Sequence, residues 1–107
     1  MVAKLLRTIP SEVFHDDRLH VIWKDGAHTT YDFWELRTRC PCAECVDEFT
    51  GKRLLNPDTV SKNIEIHNSA YIGNYGLEVL WSDGHRHGIF TFKSLRDELP
   101  HITVNTN

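Results

Sequence analysis

Leu19-His20-Val21-Ile22-Trp23-Lys24-Asp25-Gly26, followed by Tyr31-Asp32-Phe33-Trp34-Glu35-Leu36-Arg37, has a counterpart later in the chain. The second stretch is Leu77-Glu78-Val79-Leu80-Trp81-Ser82-Asp83-Gly84, followed by Phe90-Thr91-Phe92-Lys93-Ser94-Leu95-Arg96, with one extra residue after its Asp-Gly. β-branched and aromatic runs around Asp-Gly predict a tight hairpin. A type I′ turn is expected, because these two residue types best tolerate positive φ at both central positions. Each copy therefore reads as strand, turn, strand, short helix. Asp32 is the expected N-cap of the first helix, with Glu35 three residues on, and the second helix is expected to start near Thr91 and stop before Pro100. Two copies are too few for a solenoid and read as a shared local motif rather than an internal duplication.

Outward from these copies, Asn56-Pro57-Asp58 predicts a turn, and Ile64-Glu65-Ile66-His67 alternates like a short strand. Gly73-Asn74-Tyr75-Gly76 reads as a kink or bulge leading into the strand that ends at Trp81. The expected fold class is α+β, with antiparallel β-hairpins and two or three short helices in one small domain over residues 1–107.

The 107 residues carry 12 Lys+Arg against 15 Asp+Glu, a formal net charge of −3, which speaks against nucleic acid or an anionic membrane as the partner. Hydrophobic residues at 40% and charged residues at 25% place the chain among ordinary globular domains and away from disordered ones. No stretch approaches the roughly 20 apolar residues of a membrane span. The start, Met1 to Arg7, lacks the apolar segment of a secretory signal, so a reducing cytoplasm is the expected compartment.

Three cysteines cannot pair off completely, and all three fall in Cys40-Pro41-Cys42-Ala43-Glu44-Cys45. Close cysteines in a reducing compartment point to a metal or to redox chemistry. Tetrahedral zinc takes four N or S ligands, and a Cys-x-Cys-x-x-Cys run supplies three from one chain reversal. Pro41 biases Cys40 toward extended backbone and splays the thiols. Arg37 and Arg39 upstream favour thiolates. Any of the seven His could complete the set; His85 is the first choice and His87 the second. His85 follows the turn of the second copy where the first has Ala27, so the imidazole is an addition that packing did not require. His85 and His87 are expected to share one strand face.

Leu36 to Glu48, Thr50-Gly51, Gly73-Asn74-Tyr75, Trp81-Ser82-Asp83-Gly84-His85 and Leu95-Arg96 together resemble the small N-terminal domain family of gamma-butyrobetaine hydroxylase and trimethyllysine hydroxylase. Stand-alone bacterial versions form a family of unknown function. The resemblance covers roughly residues 10 to 100. It implies zinc bound by Cys40, Cys42, Cys45 and His85, a contribution to dimer contacts, and a catalytic iron in a separate oxygenase domain. Similar domains fused to Mrp-type P-loop carrier ATPases imply a context of metal or iron–sulfur cluster biogenesis. Within residues 1–107 the module is expected to stand without that oxygenase domain.

Other chemistry is weaker. His15-Asp16-Asp17 has the composition of part of an iron facial triad, but the chain is too short for the barrel that such a site needs. Gly51-Lys52 lacks the first Gly and the Ser/Thr of a P-loop, with Val46 and Arg53 in those positions. Cys42 and Cys45 have redox-pair spacing without the βαβ setting. Trp23, Trp34 and Trp81 could offer base-stacking platforms, but two of them repeat at equivalent hairpin positions, which reads more simply as core packing. Arg37, Arg39, Lys52 and Arg53 interleave with Glu44, Asp47 and Glu48, giving a mixed solvated face. The expectation is a non-catalytic zinc-binding accessory or protein-interaction domain, with a protein partner and a possible homodimer. An iron–sulfur or iron carrier and a thiol redox protein are the alternatives. No catalytic or organic-cofactor residues are expected.

Overall fold

A computed structural model describes residues 6–104 apart from 43, 48, 86 and 87. In chain order the elements are β1 (Pro10–His15), β2 (Leu19–Trp23), β3 (His28–Tyr31), α1 (Phe33–Arg37), a 3-10 turn (Pro57–Thr59), β4 (Ile66–Ile72), β5 (Gly76–Trp81), β6 (Ile89–Thr91), α2 (Phe92–Asp97) and β7 (Ile102–Thr103). They build two antiparallel sheets, ordered β1-β2-β3-β7 and β4-β5-β6. The α+β class with antiparallel hairpins and short helices is the observed one. Asp32 caps α1 by accepting from the Glu35 N–H, and Thr91 caps α2 by accepting from the Ser94 N–H.

The Asp-Gly turns differ from the expected type I′. Among the described residues only glycines have positive φ, with Gly26 at 95° and Gly84 at 88°. Each loop has three residues and ends in this left-handed glycine. The Trp23 N–H donates to Ala27 O at 2.8 Å, and the Trp81 N–H donates to His85 O at 2.9 Å. Such a loop needs one glycine rather than two permissive residues. The aspartate acts through its side chain instead: Asp25 Oδ1 accepts from the Ala27 N–H, and Asp83 Oδ1 accepts from the His85 N–H. Ala27 and His85 are thus equivalent positions.

Two further expectations shift. The strand expected at Ile64–His67 is β4, displaced to Ile66–Ile72. Residues 73–75 form the turn joining β4 to β5, with Gly73 at φ 54°, and the register irregularity lies at Ile66/Asn68 instead.

The two copies pack reciprocally. Trp23 of the first hairpin meets Phe92 of α2 edge-on at 6.2 Å, and Trp81 of the second meets Phe33 of α1 at 6.3 Å. Arg96 of α2 pairs with Asp25, and Arg37 of α1 pairs with Asp83. A hairpin with one short helix cannot cover its own apolar face, so each unit buries its Trp under the helix of the other. Each aromatic pair adds about 0.5–1.5 kcal/mol beyond the area it buries. Trp23 and Trp81 are 1% and 0% exposed and have no face free for a base. Tyr31 of β3 donates to Leu95 O at 2.7 Å, a further tie between the first sheet and α2. The same reciprocity carries the end of α1 to the turn of the second hairpin, where the site lies.

Candidate metal centre

Helix α1 ends where Thr38 turns its N–H and hydroxyl onto Trp34 O. The Cys40 N–H still donates to Arg37 O, and Pro41 then takes the chain off the helical path. The N–H groups of Cys45 and Val46 both donate to Cys42 O at 3.0 Å, a reversal that swings Cys45 back toward Cys40. A bridge between Val46 and Arg53 closes the following loop. Cys40 and Cys45 are buried, while Cys42 is half-buried.

The second hairpin brings in the imidazole. His85 Nε2 lies 3.1 Å from Cys40 Sγ, 3.4 Å from Cys42 Sγ and 3.8 Å from Cys45 Sγ. The four ligand atoms all lie within 4.8 Å of one another. A tetrahedral zinc with Zn–S near 2.3 Å and Zn–N near 2.0–2.1 Å separates S from N by about 3.6 Å and S from S by about 3.8 Å. The residues fit such an ion. Among the described residues no other group of three or more His, Cys, Asp and Glu side chains converges in this way. The far nitrogen of His85, Nδ1, faces Glu44 Oε2 at 3.8 Å, on the side where metal-binding imidazoles commonly meet a carboxylate.

Burial shapes the electrostatics. It pushes the Cys40 and Cys45 thiols up, and the neighbouring Cys42 adds to the shift. Cys42 is lowered: burial opposes its thiolate, but hydrogen bonds from Cys40, Cys45 and two backbone N–H groups outweigh it. A divalent cation held by these residues would reverse the preference of the buried pair, since a coordinating thiol is deprotonated outright. Arg37 is 7% exposed. Its Nε donates to Asp83 Oδ2 at 2.9 Å, and its Nη1 lies 3.7 Å from Cys45 Sγ. Burial opposes the guanidinium charge, but Asp83 holds its pKa above the ordinary arginine value.

The structure therefore brings together Cys40, Cys42, Cys45 and His85. His87 lies outside the described residues. His85 itself lies outside any strand, and β6 starts at Ile89. Of the two arginines expected near the thiols, Arg37 reaches one, while Arg39 is exposed and donates to Glu35 O. Asp16, part of the discounted facial-triad run, is engaged with His20 at 2.8 Å.

Three contributors escaped the sequence reading. Arg53 donates to Cys40 O at 2.7 Å, Asp83 clamps Arg37, and Gly88 lies against Cys40. A Cβ at Gly88 would sit 2.3 Å from Cys40 Sγ, so only glycine leaves room for the sulfur. The repeat carried a signal for the Asp83 pair, since Arg37 and Arg96 occupy matching positions. Nothing comparable marked Arg53 or Gly88.

These features define a small α+β domain in which a cysteine loop after one helix faces a histidine at the turn of a second hairpin. The chain belongs to the family described as gamma-butyrobetaine hydroxylase-like, N-terminal, whose profile matches residues 13–96. It is 32% identical over 82 residues to the gamma-butyrobetaine dioxygenase of Pseudomonas sp. (strain AK-1), an alignment that covers 76% of this chain and 21% of the dioxygenase. The chain therefore spans about a fifth of that relative's length. A crystal structure of a protein of unknown function from Acidithiobacillus ferrooxidans, of the DUF971 family, is similar with a TM-score of 0.65 and 29% identity. It covers 85% of this chain and 92% of that one. A solution NMR structure matches with a TM-score of 0.69 and 26% identity over 85% of this chain and 68% of its own. No helix among the described residues is long and apolar enough to cross a membrane.

Proposed function

We propose that this domain is a non-catalytic zinc-binding module in which Cys40, Cys42, Cys45 and His85 hold one structural ion, serving a larger system as an accessory or interaction domain. The convergence of four ligand atoms from two distant segments carries the reading. Three thiolates and one imidazole make a closed tetrahedral set with no position left for a reacting water, the pattern of a structural site. Bound zinc would tie the cysteine loop to the second hairpin.

The accessory role is supported by the chain's likeness to one fifth of a dioxygenase and by apolar surface beside the loop. Phe49 is 90% exposed and Leu54 is 55% exposed, an arrangement suited to a protein partner or to a second copy of the chain. The test is metal analysis with visible absorption after anaerobic purification. A colourless protein with one zinc per chain, lost on Cys42→Ser, is expected. A brown protein with iron and sulfide contradicts the reading, as does a metal-free protein of unchanged stability. Light scattering at micromolar concentration separates monomer from dimer.

A further inference from the structure

We propose that Arg37 is a positioning residue of this metal centre, donating to the Cys45 sulfur and balancing the thiolate charge while Asp83 holds it in place. The inference rests on the zinc reading above and extends it to what surrounds the ligands.

The reciprocal packing supplies an internal comparison. Arg96 of α2 and Asp25 of the first turn form the equivalent ion pair at 3.1 Å, so a helix arginine clamped by a turn aspartate belongs to the scaffold at both ends. What differs is where each guanidinium goes next. Arg96 donates to Arg7 O and lies over the Trp23 ring, whereas Arg37 turns Nη1 to the Cys45 sulfur. The ends differ in the same way at the residue after the turn, which is Ala27 in one and His85 in the other. One end of the molecule has thus been fitted for a cation, and Arg37 is among the fitted parts.

Charge gives the role its reason. Three thiolates, a neutral imidazole and Zn²⁺ sum to −1, and an uncompensated charge is costly where two of the sulfurs are buried. A guanidinium that is itself buried offsets it, and an N–H donated to a thiolate stabilises the ionised form. Asp83 is better solvated, at 36% side-chain exposure, so part of its own charge is met by water. Its two oxygens divide the work, Oδ2 holding Arg37 and Oδ1 taking the His85 N–H. One carboxylate therefore aligns ligands on both sides of the centre, Cys45 through Arg37 and His85 directly.

The experiment compares wild type, Arg37→Gln, Arg96→Gln and Asp83→Asn in the full chain. Zinc affinity is measured by competition with a chelating dye, and the sulfur-to-metal charge-transfer band is recorded with Co²⁺ in place of zinc. Arg37→Gln is expected to weaken zinc binding by about 10- to 100-fold and to move the cobalt band to lower energy, because Cys45 loses its donor. Arg96→Gln breaks the matching ion pair and is expected to leave the band and the affinity unchanged, which a purely structural role for Arg37 would not distinguish. Asp83→Asn keeps an oxygen for the His85 N–H but loses the ion pair, so both readouts move the same way by less. It carries the test alone if Arg37→Gln does not fold. A wild-type band and affinity in Arg37→Gln, or in Asp83→Asn where that variant stands alone, overturns the role, as does an equal effect from Arg96→Gln. A wild-type protein that takes up neither ion overturns the metal reading itself.

Discussion

Gly88→Ala puts the geometry of the site under direct strain. The new Cβ would meet Cys40 Sγ at 2.3 Å and Cys40 Cβ at 3.6 Å. Ordinary carbon–sulfur contact is about 3.5–4.0 Å, so the two atoms must separate by more than about 1 Å. A metal site tolerates only about ±0.2 Å in its ligand distances, so a Cys40 pushed aside could not serve as the proposed ligand. Overpacking alone lowers stability by about 1–3 kcal/mol. Displacing a ligand should weaken zinc binding by at least the 10- to 100-fold seen when supporting groups are removed. The assay pairs dye competition with thermal melts in the presence and absence of zinc, since an ion that binds only the native state raises its stability. Gly76→Ala is the matched control. Its Cβ would crowd Ile89 Cγ2 at 2.9 Å and Phe90 O at 3.1 Å in the same sheet without meeting a sulfur, so stability falls while affinity holds. Wild-type affinity in Gly88→Ala would refute the placement of Cys40 in the ligand set.

Trp23 Nε1 donates to Thr29 Oγ1 at 2.9 Å, whereas Trp81 Nε1 has no partner among the described residues. Trp23→Phe should therefore destabilise by about 1–2 kcal/mol more than Trp81→Phe in urea titrations, because Trp81→Phe removes a donor that made no bond. Tyr31→Phe leaves Leu95 O without its donor and should cost about 1–3 kcal/mol by the same measurement, with little change in zinc affinity. Asp16 is held down to about 2 by the Arg18 backbone N–H and then by His20. A carboxyl whose folded pKa is depressed stabilises above its unfolded pKa and loses that contribution as pH falls through the folded value. The stability difference between wild type and Asp16→Asn should thus shrink between pH about 4 and about 2, as followed by circular dichroism; a constant difference would contradict the pairing.

Local rules placed the hairpins and caps well, because their determinants sit within a few residues. Asp32 accepts from the N–H three positions on, as expected, and the helix expected to start near Thr91 has Thr91 itself as its cap, both within local reach. The Asp-Gly pair alone does not fix the turn type, because aspartate can serve a turn in two ways, by adopting positive φ or by accepting through its carboxylate, and composition does not say which. Asp25 and Asp83 take the second route. The alternation at Ile64–His67 marks only the start of β4, because Asn68, Ser69 and Ala70 carry no alternating apolar signal, yet they pair across to Leu80, Val79 and Glu78. The cysteines were legible from spacing, and His85 from its departure from Ala27. Arg53 and Gly88 act across the fold, on a carbonyl and a sulfur brought near only by tertiary structure, so no local pattern marked them.

The central claim is one ion held by three sulfurs and one nitrogen. X-ray absorption at the zinc edge of the purified protein tests it most directly. The account predicts three sulfur scatterers at about 2.3 Å and one nitrogen at about 2.0–2.1 Å, with one sulfur lost in Cys42→Ser should metal remain bound. A shell of nitrogen and oxygen alone, or iron with bridging sulfide in place of zinc, would contradict it.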